Sequence, residues 1–364
     1  MSLPFVTRFA PSPTGALHLG HAYAARVAHD FATRSGGKMI LRIDDIDHTR
    51  CREEFVPPIL ENLAWLGLNW FSVNLNAVTK SDMTLQNVSR QSHRKTQYQA
   101  ALKALDNLGL IYPCYLSRRE LDEILSAPHT LPSPHAQTDQ HSQQVAINTD
   151  RLLSAREQAL RQAAGRGPAW RLRMSAAVEK AQQMTPKTLS WFDHITGHQV
   201  AKPEEFGDVV IARADIAVSY HLSVVVDDAL DGINLVTRGN DLAQFTHLHR
   251  LLQALLNLPV PEYCHHALVC DATGKRLAKR DSAHELDKMR ELYEDPANIF
   301  AITAASYESL RAYAALEEAT SLKLTCDMLV SISSTMNLKA LALSTTRVNS
   351  WSVSIVCEVS LPLV

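Results

Sequence analysis

The sequence predicts an α/β protein in which helices cover a parallel sheet, and three observations support this class. A strand-like run at 4–10, a helical run at 18–34 and a strand-like run at 39–43 follow one another. That order is typical of a right-handed parallel crossover. The same alternation returns in the second half, with an apolar run at 222–228 and a strand-like run at 233–237. The chain of 364 residues is 46% hydrophobic, so it can bury a large core.

Local signals set the boundaries of the first elements. Pro11 and Pro13 end the first strand, because proline cannot donate a hydrogen bond to a neighbouring strand. The glycine pair at 36–37 ends the helix that follows. That helix carries apolar residues at helical spacing, namely Leu19, Tyr23, Val27 and Phe31. The same spacing predicts further helices at 54–66, 93–108 and 151–164.

The middle and later parts of the chain carry other patterns. Residues 126–149 are rich in Pro, His, Gln and Ser, which is typical of an exposed loop. Residues 168–200 resemble short strands joined by turns. Asp241 is expected to cap a helix at 242–256. A further strand is expected at 266–270.

Composition and charge exclude several classes of protein. The formal net charge of −2 gives no global basic field for binding nucleic acid, although a local basic patch remains open. The six cysteines form no Cys-x-x-Cys pair and suggest no disulfide framework. The first residues lack the pattern of a signal peptide, and no apolar stretch is long enough to span a bilayer. We therefore expect a cytoplasmic protein with reduced thiols and no membrane partner.

The stretch HLGH at residues 18–21 lies where the first strand gives way to the first helix. His18 and His21 are three residues apart, so they share one face of the first helical turn. A helix N-terminus favours phosphate, and Gly15 and Gly20 let a ligand approach the backbone closely. An isolated pair of this kind is more often a metal pair or a surface feature, but the preceding run PSPTG favours phosphate binding. The turn contains no GxGxxG, which disfavours a dinucleotide site.

A second stretch, ATGKRLAKRD at residues 272–281, places several cations around a glycine turn. Lys275, Arg276 and Lys279 can clamp a triphosphate and stabilise a departing pyrophosphate. The alternative is a solvated run of charge, which is the usual meaning of a lone basic loop.

Together these stretches resemble the HIGH and KMSKS signatures of class I aminoacyl-tRNA synthetases. The glutamyl group of that class is similar to RFAPSPTGALHLGH at 8–21, to LRIDDIDHTR at 41–50, to YHLSVVVDDALDGINLVTRGNDL at 220–242 and to GKRLAKRD at 274–281. The matches occur in the expected order and cover about residues 5–285. The resemblance implies a Rossmann-like α/β catalytic core with an inserted subdomain and a short helical C-terminal part.

The resemblance also divides the chain into four expected parts. They are the first half of the catalytic domain at 1–110, an inserted subdomain at 111–200, the second half with the KMSKS-like loop at 201–290, and a C-terminal segment without an anticodon-binding domain at 291–364. The sequence contains no motif that assigns a structure or a role to this last segment. We expect the protein to be a monomer.

The chain resembles the short members of the glutamyl group, because only a short region follows its KMSKS-like loop. Those members activate L-glutamate with ATP and Mg²⁺, and transfer it to the queuosine base in the anticodon loop of tRNA(Asp). One alternative is a truncated glutamyl-tRNA synthetase that charges tRNA(Glu). Others are a non-catalytic tRNA-binding homologue and a different nucleotidyltransferase of the same superfold.

The resemblance implies roles for single residues. The catalytic set is His18, His21 and Lys279. The set in contact with ATP is His18, Gly20, His21, Arg276 and Lys279. The set in contact with glutamate is Arg8, Phe9, Ala10, Pro11, Ser12, Asp44, Tyr220 and Arg238. For Arg238 the alternative is a structural ion pair with Asp227 or Asp228.

The chain departs from the pattern of the group at several positions. Asp44 stands where the group has glutamate, and Ala278 stands where the KMSKS loop has serine. Group members often bind zinc through a CxC pair with a later Tyr and Cys, whereas this chain keeps Cys114 and has Leu116 in place of the second cysteine. Histidines with irregular spacing could replace the lost ligands, namely His129, His135 and His141. Structural zinc needs four converging ligands, so we expect no metal site.

Overall fold

The computed structural model describes residues 3–71, 88–117, 119–120, 152–185, 187–213, 218–269, 285–293 and 295–303. The chain begins with strand β1 (Val6–Phe9), helix α1 (Leu19–Arg34) and strand β2 (Lys38–Ile43). Strands β1 and β2 are parallel, with Val6 opposite Lys38. The predicted strand–helix–strand crossover is therefore confirmed, with boundaries within two residues of those expected.

The later described elements complete an alternation of helices and strands. In chain order they are α2 (Val56–Trp65), β3 (Ser89–Arg90), α3 (Lys95–Asn107), β4 (Ile111–Cys114), α4 (Ala155–Ala163), β5 (Ala169–Leu172), α5 (Met174–Met184), β6 (Ser190–Asp193), β7 (Gly197–Val200), β8 (Val210–Arg213), α6 (Tyr220–Leu230), β9 (Leu235–Gly239), α7 (Thr246–Leu255), β10 (Glu262–His266), α8 (Leu286–Leu292) and α9 (Ala297–Ile302).

Two sheets that contain parallel strands adjoin each other. One has the order β1-β2-β3, and the other has the order β7-β6-β10-β9, in which β9 and β6 run parallel to β10. Strands β1 and β9 lie next to each other. The N–H of Asn234 donates to the Val6 carbonyl at 3.1 Å, and the Val6 N–H donates to the Asn234 side chain at 2.7 Å.

The helices that follow β1 and β9 pack into different hydrophobic clusters. Helix α1 packs with α2, α8 and α9 in a cluster that includes Tyr23, Leu63 and Ile299. Helix α7 packs with α3, α5 and α6 in a second cluster that includes Leu105 and Leu251. Because the chain leaves β1 and β9 toward separate clusters, the carboxyl ends of these two strands form a topological switch point, where open α/β sheets bind ligands.

A smaller antiparallel sheet has the order β4-β5-β8, and its last strand, β8, falls within the residues assigned to the second half. Strand β6 falls within the residues assigned to the inserted subdomain but pairs with β10, with Tyr263 opposite Asp193. The four domain boundaries given above stay a prediction. None of the helices in the described ranges is long and apolar enough to cross a bilayer.

Several expected elements differ from the structure for identifiable reasons. The region 168–200 also contains helix α5, whose buried stripe is short and consists of Met174, Ala177 and Ala181. The apolar run 222–228 lies in helix α6, where every residue from Leu222 to Asp228 is buried and no amphipathic pattern remains.

Two boundaries in the second half also shift. A 3-10 turn at Asn240–Phe245 precedes α7, which begins at Thr246, and neither element has a side-chain cap, so the expected capping by Asp241 is wrong. The strand expected at 266–270 is β10, which ends at His266. The expected loop at 126–149 lies outside the described residues.

Candidate active site

The first histidine of the HLGH stretch caps helix α1. The Nδ1 atom of His18 accepts a hydrogen bond from the Gly20 N–H at 3.1 Å. The Nδ1 atom of His21 accepts from the backbone N–H of His18, also at 3.1 Å. Because an imidazole nitrogen that accepts a hydrogen bond carries no proton, each ring in its neutral form holds its proton on Nε2. The donors of the neutral pair are therefore its Nε2–H groups.

This arrangement changes one detail of the phosphate site expected from the sequence. The backbone N–H groups of His18 and Gly20 already donate to imidazoles, so they are not the unpaired donors expected at a helix N-terminus. Gly20 has a steric role, because a Cβ atom at this position would lie 3.1 Å from Cε1 of His18. The glycine thus keeps the first imidazole folded over the start of the helix.

The residues on either side of the second basic stretch pack near the first turn of α1. His18 forms a β-bridge with Glu285, and the Leu286 N–H donates to the Leu17 carbonyl at 2.8 Å. Leu286 and Val269 are buried in the same cluster as Leu17. The stretch itself, with Arg276 and Lys279, lies outside the described residues.

The run RFAPS leaves β1 toward the same end of the sheet. The Arg8 guanidinium is 6% exposed, contacts Asp228 at 3.1 Å and donates to the Thr237 carbonyl at 2.9 Å. The side chain of Phe9 belongs to the hydrophobic core, whereas Ser12 is exposed.

The backbone of the run also joins it to the strand beside it. Pro11 is buried and Ala10 is half-buried, and the Asp44 N–H donates to the Pro11 carbonyl at 3.0 Å. The structure therefore brings the RFAPS and RIDD stretches together.

Asp44 belongs to a buried cluster of charges around Arg42. The guanidinium of Arg42 is fully buried and lies 2.8 Å from Asp44, 2.9 Å from Asp228 and 3.1 Å from Asp231. Burial raises the pKa of Asp44 to about 6, although the charge of Arg42 acts in the opposite direction. Sequence reasoning missed Arg42, because a cation inside a strand gives no signal of the partners it will meet.

Arg238 differs from Arg42 in its partners, which are two histidines and a threonine instead of carboxylates. It lies in β9, is 6% exposed and donates to His265 at 3.0 Å, to His249 at 3.1 Å and to Thr246 at 2.7 Å. Among the described residues, no carboxylate oxygen lies within 4.0 Å of its guanidinium. Three of its five N–H groups are thus used, which leaves one N–H on each terminal nitrogen without an acceptor in the described part of the chain.

The alternative of an ion pair between Arg238 and the paired aspartates is wrong. Asp227 accepts hydrogen bonds from Arg94 at 2.9 Å and from Gln91 at 2.8 Å, while Asp228 pairs with Arg8 and Arg42. Other cations therefore occupy the role that the alternative gave to Arg238.

Tyr220 lies at the start of α6 and is 38% exposed. Its ring centroid is 5.6 Å from that of His221 and 6.0 Å from that of His249. Sequence reasoning missed these two histidines and His265. The sequence held one signal for them, which is the density of histidines in the stretches 247–249 and 265–266. Periodicity alone assigns these stretches to a helix face and a strand, so it gives no reason to assign them to a site.

The region where group members bind zinc is described in part. Cys114 is buried at the end of β4, and within the described ranges no group of three or more His, Cys, Asp or Glu residues is arranged to hold a metal ion. The candidate ligands His129, His135 and His141 lie outside the described residues. The expectation of no zinc therefore stays a prediction.

The comparison with protein families decides the class of the protein. The family described as tRNA synthetases class I (E and Q), catalytic domain, matches residues 4–340. The chain belongs to this family. Both the expected α/β architecture and the resemblance to the glutamyl group are thereby confirmed.

Relatives of known name agree with this assignment. A glutamyl-Q tRNA(Asp) synthetase of Rhodobacter capsulatus is 40% identical over 81% of this chain and 98% of its own length. A protein of the same name from Symbiobacterium thermophilum is 37% identical over 80% of this chain and 83% of its own length. A glutamate–tRNA ligase of Methylorubrum populi is 33% identical, and the chain spans 64% of its length.

Solved structures agree as well. The crystal structure of a glutamate tRNA ligase from Elizabethkingia meningosepticum, in complex with its amino acid, superposes with a TM-score of 0.58 at 25% identity. The superposition covers 77% of this chain and 52% of that protein, so the chain spans about half the length of the ligase.

Proposed function

We propose that this chain is a ligase that activates L-glutamate with ATP and transfers the glutamyl group to the queuosine base in the anticodon loop of tRNA(Asp). It acts in the cytoplasm as a monomer. The observation that carries the glutamate assignment is Arg238, a buried cation at the switch point that has no carboxylate partner among the described residues. The acceptor is supported by the relatives named glutamyl-Q tRNA(Asp) synthetase, one of which the chain matches over nearly its whole length.

The first step is the formation of glutamyl adenylate. The α-carboxylate of glutamate attacks the α-phosphorus of ATP in line, and pyrophosphate leaves. In this proposal His18 and His21 donate from Nε2 to phosphate oxygens as charge develops on them, and Lys279 and Arg276 bind the same phosphates. Gly20 keeps the first imidazole in place, and Mg²⁺ enters with the ATP phosphates. No side chain acts as a covalent nucleophile, so catalysis consists of positioning and electrostatic stabilisation.

The two sides of the switch point carry opposite charges, and each side binds the group of opposite charge on glutamate. The carboxylate of Asp44, in the cluster around Arg42, attracts the ammonium group of the substrate. Arg238 receives a carboxylate through its two remaining N–H groups, and Tyr220 flanks the position. Arg8 is already paired with Asp228, so its contribution is smaller than that of Arg238. Phe9, Ala10, Pro11 and Ser12 shape the backbone beside the substrate.

In the second step a hydroxyl of the queuosine ring attacks the carbonyl carbon of the adenylate, and AMP leaves. A truncated glutamate–tRNA ligase that charges tRNA(Glu) is the less favoured alternative, because the chain spans a smaller share of the relatives that carry that name. A non-catalytic tRNA-binding homologue is the second alternative.

The proposed function is tested in two assays. The first measures pyrophosphate exchange that depends on glutamate, and we expect it in the wild type and expect its loss in the double variant His21→Ala, Lys279→Ala. The second measures transfer of labelled glutamate to tRNA(Asp) with queuosine, to tRNA(Asp) without queuosine and to tRNA(Glu). Labelling of the first RNA alone supports the proposal. Labelling of tRNA(Glu) supports the truncated ligase, and the absence of any exchange supports the non-catalytic homologue.

A further inference from the structure

The three hydrogen bonds of Arg238 end on groups without charge. Arginine can only donate, so the Nε2 atom of His265 and the Nδ1 atom of His249 must both be acceptors. Each of these rings is therefore neutral and carries its proton on the other nitrogen. The hydroxyl of Thr246 accepts from the guanidinium and lies 3.1 Å from Nε2 of His265, to which it can donate.

A second partner fixes the proton on His265. Its Nδ1–H donates to the carboxylate of Asp193. Asp193 is held in turn by the N–H groups of Ile195 at 2.8 Å and Thr196 at 3.1 Å. Burial is the largest single effect on Asp193 and raises its pKa, but the interactions with His265 and with the N–H groups of Ile195 and Thr196 together outweigh burial and keep the pKa below its usual value. A carboxylate, an imidazole and the guanidinium thus form one oriented chain.

A second chain runs through His249. With its Nδ1 occupied by Arg238, the Nε2–H of His249 donates to Nδ1 of His221 at 3.2 Å. Burial, followed by the charge of Arg238, lowers the pKa of His221 to about 4 and lowers that of His249 well below its usual value. The His249 ring also packs beside Tyr220, so one side chain contacts both of the second-half residues assigned to glutamate.

We propose that His249 and His265 are positioning residues that aim Arg238 at a carboxylate of the substrate without neutralising it. A carboxylate in either place would hold the guanidinium equally well but would compete with glutamate for its charge. A neutral imidazole whose tautomer is fixed by a second partner holds the guanidinium and leaves the charge for the substrate. This inference rests on the proposed function, since it assumes that Arg238 binds glutamate.

The test compares two side chains of the same shape that differ in charge. His249→Gln keeps a neutral acceptor for Arg238, whereas His249→Glu places a carboxylate on it. We expect the KM for glutamate of the His249→Glu variant to exceed that of the His249→Gln variant by about tenfold or more. The KM for ATP should be the same in both, because the residues to which the proposal assigns ATP do not include this cluster. His247→Gln, on the same helix, is the matched control and should leave both KM values at the wild-type level.

A second variant covers the case in which His249→Glu does not fold. Asp193→Asn keeps the shape of the side chain, but its amide can donate to Nδ1 of His265 and so moves the ring proton to Nε2, where it opposes the N–H of Arg238. We expect the KM for glutamate to rise about tenfold or more, with the KM for ATP unchanged. The thermal midpoint of each variant is measured beside the kinetics.

Failure of this inference is distinguishable from failure of the proposed function. If the wild type shows no glutamate-dependent pyrophosphate exchange, the proposed function fails. If the wild type is active but the glutamine and glutamate variants at position 249 share one KM for glutamate, the positioning role is refuted. Asp193→Asn with an unchanged KM for glutamate refutes it independently.

Discussion

Arg8 and Arg238 are both buried guanidinium groups at the carboxyl ends of neighbouring strands, but their charges are balanced differently. Arg8 is paired with Asp228, which Arg42 also contacts. Arg238 donates to two imidazoles and a hydroxyl. Since an uncompensated buried cation is unfavourable, the site around Arg238 gains more from an incoming carboxylate than the site around Arg8 does.

The first prediction concerns Asp44 and pH. Its pKa in the folded protein is raised to about 6 by burial, against the opposing effect of Arg42, so the carboxyl group becomes protonated as the pH falls through that value. If Asp44 binds glutamate as proposed, its protonated form no longer attracts the ammonium group of the substrate. We expect the KM for glutamate to rise as the pH falls from about 8 to about 5, with little change in the KM for ATP.

The control for this prediction is Asp44→Asn, which cannot ionise. Its KM for glutamate should be high at every pH and should lose the dependence on pH. A wild-type KM for glutamate that stays flat across this range would contradict the assignment of Asp44.

At the scale of elements, helix α3 is tied to helix α6 through one buried aspartate. The hydroxyl of Tyr98 donates to Asp227 at 2.8 Å, and Gln91 and Arg94 contact the same carboxylate. Tyr98 is fully buried in the second cluster. Because a buried carboxylate needs all its donors, this contact fixes how α3 lies against α6.

The second prediction tests this contact with Tyr98→Phe. The variant removes one donor to a buried charge, and we expect the free energy of unfolding to fall by about 1.5–3 kcal/mol. Urea titration followed by circular dichroism measures the change as a lower midpoint at an unchanged slope. The control is Tyr293→Phe, because the hydroxyl of Tyr293 has no partner among the described residues. This variant should change the free energy of unfolding by about 0.5 kcal/mol or less.

The third prediction concerns metal content in the inserted region. The chain keeps Cys114 of the usual zinc ligands, with Leu116 in place of the next cysteine, so we expect purified protein to contain no stoichiometric zinc. Elemental analysis of protein purified without chelators measures this directly. One zinc per chain that disappears in Cys114→Ala would overturn the expectation.

Local patterns in the sequence predict much of the fold. The crossover β1–α1–β2 and helix α3 follow from proline, glycine and apolar spacing, and the HLGH stretch identifies the helix start that holds His18 and His21. The partners of the buried charges do not follow. Arg42 contacts Asp228, 186 residues away, and such a pairing leaves no trace in a local pattern. The sequence pattern also does not predict helix α6, because burial on all sides removes the polar face that marks a helix.

At the scale of the whole molecule, the candidate site is shared by two halves that are remote in sequence. His18 and His21 belong to the first half, and Tyr220 and Arg238 belong to the second. A substrate pair that contacts both halves therefore adds contacts across the boundary between them. Ligand binding of this kind raises the stability of the folded state as a whole.

The fourth prediction measures this effect. Glutamate together with a non-hydrolysable ATP analogue, each at about 100 times its Kd, should raise the thermal midpoint, and each ligand adds up to about 2.7 kcal/mol. Differential scanning calorimetry measures the shift. In Arg238→Gln we expect the part that depends on glutamate to vanish while the part that depends on the ATP analogue remains. Equal responses of the variant and the wild type to glutamate would exclude Arg238 from the binding of glutamate.

The contact between β1 and β9 has a consequence for biosynthesis. The paired residues Val6 and Asn234 are 228 positions apart, so the first strand leaves the ribosome long before its second neighbour exists. About 200 residues separate the end of β2 from the end of β9, which corresponds to roughly 10–40 s of translation. During that interval one edge of β1 has no strand to cover it. Fast completion of synthesis and folding, or binding by chaperones, then keeps the nascent chain from pairing with other chains.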